Sequence, residues 1–147
     1  MPNMVFAYMP NVAGTGLMIL VHTVRPPSDA EWEAYFAQAS KQDPKLLKNL
    51  VFTDGGAPSS VQRKQVNDWL AGQPTRACVI TASALARGAV KALSWFNPQL
   101  TAMAPQQLDA AFQYLGVRED EKARVRTEIK LLRVRLGNDA LKSIVVD

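Results

Sequence analysis

The sequence is poor in the residues that build disulfides, metal sites and catalytic dyads. Its 147 residues include one cysteine, Cys78, and one histidine, His22. A single cysteine excludes an internal disulfide, and its apolar neighbours indicate a buried, inert thiol. Because no second histidine or cysteine pair accompanies His22, we interpret it as a strand residue and expect no metal site. We accordingly predict a protein that is not an enzyme and holds no cofactor.

Long apolar segments are also missing. No run approaches the roughly 20 residues needed to cross a bilayer, so we expect no membrane span. The first ten residues, MPNMVFAYMP, lack the basic start and long apolar core of a secretory signal. A lone free cysteine fits a reducing compartment. We therefore expect a cytoplasmic protein.

What remains is the composition of one ordinary globular domain, with 48% hydrophobic and 20% charged residues. The net charge is +4, and seven basic residues fall between Arg118 and Arg135. Such a cluster can attract nucleic acid or an acidic membrane surface. A solvated basic helix face is the favoured interpretation, because basic side chains suit the end of a helix. We therefore expect no nucleic-acid partner.

Short apolar runs alternate with helical patterns along the chain. Strands are predicted at residues 4–8, 17–24, 50–53, 76–81 and 100–103, and helices at 29–42, 59–70, 83–95, 105–115 and 119–136. The first two strands are joined by a short turn, which predicts an antiparallel hairpin. The later strands are separated by helices, which predicts parallel right-handed crossovers. The expected fold class is α/β, a mixed sheet of about five strands with helices on its faces.

The third and the last predicted helices raise separate questions. Leu85 and Ala89 are expected to face inward in the third, which should end near Trp95. In the last, Val125, Ile129, Leu132 and Leu136 repeat at 4-3-4 spacing. That seam can pack on its own domain or form a homodimer through the C-terminal helix. We predict one domain over residues 1–116, with residues 117–147 forming a C-terminal helix and a tail that packs locally or adds an edge strand.

Residues 49–71 contain the strongest local signals. A buried strand at residues 50–53 is followed by the loop Asp54-Gly55-Gly56-Ala57-Pro58 and by a helix that opens at Ser59 or Ser60. Ser59 and Gln62 have the spacing of a capping box. Binding sites of α/β sheets lie beyond the carboxyl ends of strands, so this loop is the predicted binding surface. Its candidate residues are Asp54, Gly55, Gly56, Ser59, Ser60 and Arg63, with a structural ion pair expected between Asp54 and Arg63.

The order of elements over roughly residues 4–116 resembles the SpoIIAA-like fold of STAS domains (sulfate transporter and anti-sigma factor antagonist) and SEC14-like lipid-binding domains. The stretches DGGAPSSVQRKQV and ALSWFNPQL are similar to segments of bacterial STAS/SEC14-like proteins. In anti-sigma factor antagonists, a partner kinase phosphorylates a Ser that opens the helix after an Asp-ended strand. The resemblance implies Ser59 or Ser60 as a phosphosite, although Gly55, Gly56, Ala57 and Pro58 lie between Asp54 and the first of these serines.

Two functions follow from these observations as expectations. The first is a non-enzymatic protein-interaction module in bacterial signalling, which docks another protein through the loop and helix after the third strand. The alternative is a SEC14-like carrier of a small lipophilic ligand. That alternative draws on the resemblance and on the aromatic stripe of Trp32, Tyr35 and Phe36 in the first helix.

Overall fold

The structure, a computed structural model, describes residues 1–93, 97–137 and 141–146. One mixed sheet has the strand order β1-β2-β3-β4-β5, in which β1 pairs antiparallel with β2 and every later pair is parallel. The strands are β1 (Met4–Pro10), β2 (Gly16–His22), β3 (Lys48–Thr53), β4 (Arg76–Ile80) and β5 (Leu100–Met103). The predicted fold class is therefore confirmed.

Within these described ranges, five α-helices connect and cover the strands. They are α1 (Asp29–Ala39), α2 (Ser60–Leu70), α3 (Ala84–Leu93), α4 (Leu108–Leu115) and α5 (Lys122–Arg135). Short 3-10 turns occupy Val12–Gly14, Pro105–Gln107 and Glu119–Glu121. The helix predicted from residue 119 therefore starts as a 3-10 turn. Within the described residues, no helix combines the length and the apolar character needed to cross a membrane.

The two faces of the sheet bury two separate apolar cores. On β2, Leu17, Ile19 and Val21 enter one core, while Met18 and Leu20 enter the other, as strand alternation requires. The larger core packs the sheet against α4, α5 and the tail, residues 141–146. The smaller core packs it against α1 and α2. A central strand covered on both faces explains why these segments read as continuous apolar runs.

The C-terminal helix packs on its own sheet. Its seam of Val125, Ile129, Leu132 and Leu136 is buried in the larger core. The carboxylate of Glu121, 5% exposed, also fixes the start of α5 to the β1–β2 turn by accepting the N–H of Ala13 at 3.2 Å. No strand forms within residues 141–146, so the tail packs without adding to the sheet there.

The orientation expected for α3 is wrong. Leu85 is 87% exposed and Ala89 is exposed, while Ala86 and Val90 are half-buried. The helix starts at Ala84. The residues that face the sheet follow the predicted ones by one position, which corresponds to a rotation of about 100° around the helix axis. The predicted end near Trp95 lies outside the described residues.

His22 and Cys78 are both in the interior. Cys78 is fully buried, as expected, and burial raises the pKa of its thiol to about 12, so the thiol is protonated near pH 7. His22 is 3% exposed in β2, and its Nδ1 has no hydrogen-bond partner among the residues that the structure describes. Burial lowers the pKa of His22 to about 4, against a smaller opposing effect of the Glu31 carboxylate. His22 is therefore neutral near pH 7, as a strand histidine would be.

Acid should therefore destabilise the fold through His22. The unfolded chain takes up a proton near pH 6.5 and the folded one only near pH 4. Between these values the unfolded state binds more protons than the folded state. The free energy of unfolding should therefore decrease as the pH is lowered, by up to about 3 kcal/mol. Urea unfolding from pH 7 to pH 5 measures the slope, and His22→Gln should flatten it. Equal slopes in the two proteins would contradict the buried neutral imidazole.

Candidate functional site

The parallel strands β2, β3 and β4 end at the same side of the sheet. We call the segments that follow them, including the first residues of α2 and α3, the carboxyl rim; it comprises residues 23–25, 54–61 and 81–85. The parallel register pairs His22 with Thr53 and Phe52 with Ile80, so the three strand ends lie side by side. The loop selected from the sequence is the central part of this rim.

The β3–α2 loop is held tightly against the end of β2. The Thr53 hydroxyl donates to the carbonyl of Gly56 at 2.6 Å and accepts the N–H of Gly55 at 3.0 Å. The N–H of Gly56 donates to the Thr23 carbonyl at 2.8 Å. A Cβ at Gly56 would collide with the carbonyl oxygens of Thr23 and Arg25. Glycine is required here because another backbone segment passes so close.

Asp54 holds the C-terminal tail. Its Oδ1 accepts the N–H of Ser143 at 3.0 Å, and its Oδ2 accepts the N–H of Lys142 at 3.3 Å. These bonds attach residues 141–146 to the carboxyl rim, while Leu141 and Ile144 insert into the larger core. Hydrogen bonds to an ionised carboxylate are among the stronger ones in proteins. Asp54 is thus a structural anchor, which the sequence analysis missed.

The ion pair expected between Asp54 and Arg63 is wrong. The Arg63 guanidinium instead donates to the carbonyl of Pro58 at 3.1 Å, within its own loop and helix start. Its side chain is exposed. The two carboxylate oxygens of Asp54 are oriented toward the tail, on contacts that span 88 and 89 residues of sequence.

The two serines at the start of α2 have different roles. Ser59 is the N-cap, and its hydroxyl accepts the N–H of Gln62 at 3.2 Å. The Gln62 side chain accepts the N–H of Ser59 at 2.9 Å, so the predicted capping box is confirmed. Ser60 is the first helical residue and is exposed. Of the two serines, Ser60 is therefore the one whose hydroxyl is not part of the cap.

A cavity of about 340 Å³ opens at the carboxyl rim, next to Asp54. Its lining combines apolar and polar side chains: Val24, Asp54, Thr81, Ala82, Ser83 and Lys142. Ser83 caps α3 by accepting the N–H of Ala86 at 3.1 Å, so the start of this helix also borders the cavity. Neither Thr81 nor Ser83 is part of the binding surface that the sequence predicts. The cavity is shaped in part by the tail, which no local signal places there.

Large apolar side chains are also exposed along the carboxyl rim, and one of them, Val24, lines this cavity. Val24 is 69% exposed, Val61 in the first turn of α2 is 78% exposed, and Leu85 in the first turn of α3 is 87% exposed. Each follows the carboxyl end of a different parallel strand. Exposed apolar groups that share one side of a protein and surround polar ones are typical of interaction surfaces.

Other candidate chemistry is sparse at this rim. No group of three or more histidine, cysteine, aspartate or glutamate residues suited to a metal ion occurs in the described ranges. Comparisons of the chain with protein-family models, curated proteins and solved structures find no match. The resemblance to STAS and SEC14-like domains therefore remains a prediction from the sequence.

Replacing the two serines separately should distinguish the cap from the exposed position. Ser59→Ala removes the capping acceptor and should lower the free energy of unfolding by about 0.5–2 kcal/mol. Ser60→Ala should change it by less than about 0.5 kcal/mol, as at ordinary surface sites. Urea unfolding of both variants provides the comparison. A Ser60→Ala effect as large as that of Ser59→Ala would contradict the assignment.

Removal of the Asp54 carboxylate should release the tail. Asp54→Ala removes the acceptor of two N–H groups, the exposed one of Lys142, which water can satisfy, and the partly buried one of Ser143, whose loss should cost about 1–3 kcal/mol. Their amide hydrogen exchange should accelerate about tenfold or more, because local opening becomes easier. Asp68→Ala, which removes an exposed carboxylate paired with Lys64, is the matched control. Unchanged exchange in Asp54→Ala would show that the carboxylate does not hold the tail.

Proposed function

We propose that this chain is a non-enzymatic protein-interaction module of bacterial cytoplasmic signalling. It docks another protein through the β3–α2 loop and the first turns of α2. The observation that carries the proposal is the set of exposed apolar side chains at the carboxyl rim, Val24, Val61 and Leu85. A partner that covers them would remove apolar surface from water, at about 25 cal/mol per Å².

The proposed docking surface differs from the set of binding residues that the sequence predicts. Asp54, Gly56 and Ser59 are engaged in internal hydrogen bonds, so they shape the surface rather than contact the partner. Gly55 and Ser60 are exposed and remain available for contact. With Arg63 and the three apolar side chains, they combine apolar contact and positive charge, the mixture found at transient interfaces.

Ser60 is the better phosphosite of the two serines. Both serines are exposed, but the Ser59 hydroxyl is committed to the helix cap and that of Ser60 is not. A phosphate on the first helical residue would interact favourably with the helix dipole, so the fold would tolerate it. The same phosphate would place about two negative charges beside Val61, where desolvation on docking would be costly. Phosphorylation at Ser60 would therefore weaken partner binding without unfolding the module.

A role without catalysis is supported by the positions of the two side chains best suited to chemistry. His22 is buried with a pKa near 4, and the Cys78 thiol is buried with a pKa near 12. Both side chains are buried, and both are uncharged near pH 7. The rim itself offers hydroxyls, one carboxylate bound to the tail and Lys142, a set more suited to recognition than to reaction.

The lipophilic carrier is the weaker proposal. Its aromatic stripe belongs to the smaller core, where Trp32 and Tyr35 are buried with ring centroids 5.0 Å apart. Phe36 packs edge-on against Trp69 at 6.1 Å. These contacts occupy the aromatic surface that a lipid would need. A homodimer through α5 is a further proposal, and because its seam is buried, such a dimer would use another face of the helix.

Quantitative pull-down with the tagged chain tests the docking surface. Val61→Asp and Ser60→Asp should each reduce capture of the partner by about tenfold or more, the effect of losing over 1 kcal/mol at an interface. Both acids suit the first turn of a helix, so folding should persist.

Leu46→Asp is the matched control for this experiment. Leu46 is 53% exposed but precedes β3, at the opposite end of the strands. Capture by Leu46→Asp should equal that of the unchanged protein. If Val61→Asp and Ser60→Asp capture the same proteins in the same amounts as the unchanged chain, the proposed docking surface is wrong.

A further inference from the structure

The outer edge of β1 is open along a long, uncharged strand. β1 lies at one edge of the sheet, and among the described residues no strand pairs with its outer side. Its seven residues, MVFAYMP, include no charged side chain. The opposite edge strand, β5, has only four residues. Proteins normally protect long edges with charge, bulges or covering segments, because an open edge pairs readily with another strand.

The open hydrogen-bonding groups are limited to the middle of β1. The N–H of Thr23 donates to the Asn3 carbonyl at 2.9 Å, so the odd-numbered residues of β1 face β2 and the even-numbered ones face outward. At one end, the outward N–H of Met4 donates to the Glu31 carboxylate at 3.4 Å. At the other end, Pro10 has no N–H. The N–H and C=O groups of Phe6 and Tyr8 remain between these two ends.

We propose that β1 binds β1 of a second copy of this chain, as an antiparallel pair with a two-fold register centred on Ala7. In this register Phe6 exchanges hydrogen bonds with the partner's Tyr8, and Tyr8 does the same with the partner's Phe6. Met4, whose N–H is occupied, lies opposite the partner's Pro10, which has no N–H. The edge is therefore complementary to itself, as a two-fold interface requires.

Side chains on both faces support the same register. Phe6 and Tyr8 contact the smaller core and are only partly buried. Each would lie directly across from the aromatic ring of the other copy, a favourable cross-strand pair. A groove of about 360 Å³ lies beside the first half of this edge, from Pro2 to Phe6, and is also lined by Glu31, Ala34 and Arg135. The far end of the partner's β1 would enter that groove.

The helix α5 presents a matching stripe toward the same edge. Its other side faces α4, where Arg126 binds Asp109 at 2.7 Å. The edge-facing stripe consists of Arg124, Glu128, Leu131 and Arg135, at spacings of four, three and four. Leu131 is 52% exposed.

The charges of that stripe are complementary under the same two-fold axis. In the dimer the two α5 helices lie antiparallel on one face of the joined sheet. When Leu131 lies at the axis, Glu128 comes opposite the partner's Arg135. Each acidic residue of the stripe thus faces a basic residue of the second copy, on either side of an apolar centre. A partner whose surface carried charge of one sign would fit this stripe less well.

Light scattering of the full chain tests the dimer directly. The unchanged protein should show twice the 16.1 kDa mass of the chain at micromolar concentration. Leu131→Asp should reduce that mass to one chain, because two carboxylates would meet at the axis. Val134→Asp is the control, since Val134 is 73% exposed on the side of α5 away from the sheet. A monomer for the unchanged protein, or a dimer unaffected by Leu131→Asp, overturns the proposal.

Amide exchange and charge reversal test the register. The N–H groups of Phe6 and Tyr8 should be protected in the dimer and lose protection in Leu131→Asp, while that of Ala7, bonded to β2, stays protected in both. Glu128→Arg should weaken the dimer, and the double variant Glu128→Arg with Arg135→Glu should restore it. Rapid exchange of Phe6 and Tyr8 in the dimer, or no restoration by the double variant, contradicts this arrangement.

Discussion

The parallel alignment of β3 between β2 and β4 is the constraint on which the rest of this structure depends. It brings the ends of three strands to one side of the sheet, although Val24, Asp54 and Thr81 are far apart in sequence. Two helix starts and the C-terminal tail then meet at the same rim. Because both faces of these strands are buried, a shift of register would move every core side chain to the wrong face. The candidate site is thus a direct consequence of strand pairing.

Asp54 connects that sheet to the last residues of the chain. Its carboxylate accepts two backbone N–H groups of the tail, which would otherwise lack a protein acceptor. The apolar residues of the tail can then complete the larger core. The residue that sequence reasoning assigned to partner binding is therefore mainly architectural. In the proposed function, recognition would therefore fall to its exposed neighbours, Ser60, Val61 and Arg63.

Local signals predicted much of this molecule. The strands and the capping box of Ser59 with Gln62 follow from short-range patterns and were found where expected. The contact between Asp54 and the tail joins groups 88 residues apart, so no pattern within one segment could reveal it. The exposure of Leu85 was missed for a different reason. An amphipathic pattern in a short helix with several alanines leaves its rotation ambiguous by a residue.

The central claim is that a protein partner contacts the carboxyl rim. Photocrosslinking from a probe attached to an introduced cysteine measures this most directly. Because the native Cys78 is buried, the probe should attach only to the introduced surface cysteine. A probe at Val61→Cys or Leu85→Cys should crosslink one protein from the cells that make this chain. The same probe at Leu46→Cys should not. Crosslinking of that protein at Leu46→Cys, with none at Val61→Cys or Leu85→Cys, would contradict the account.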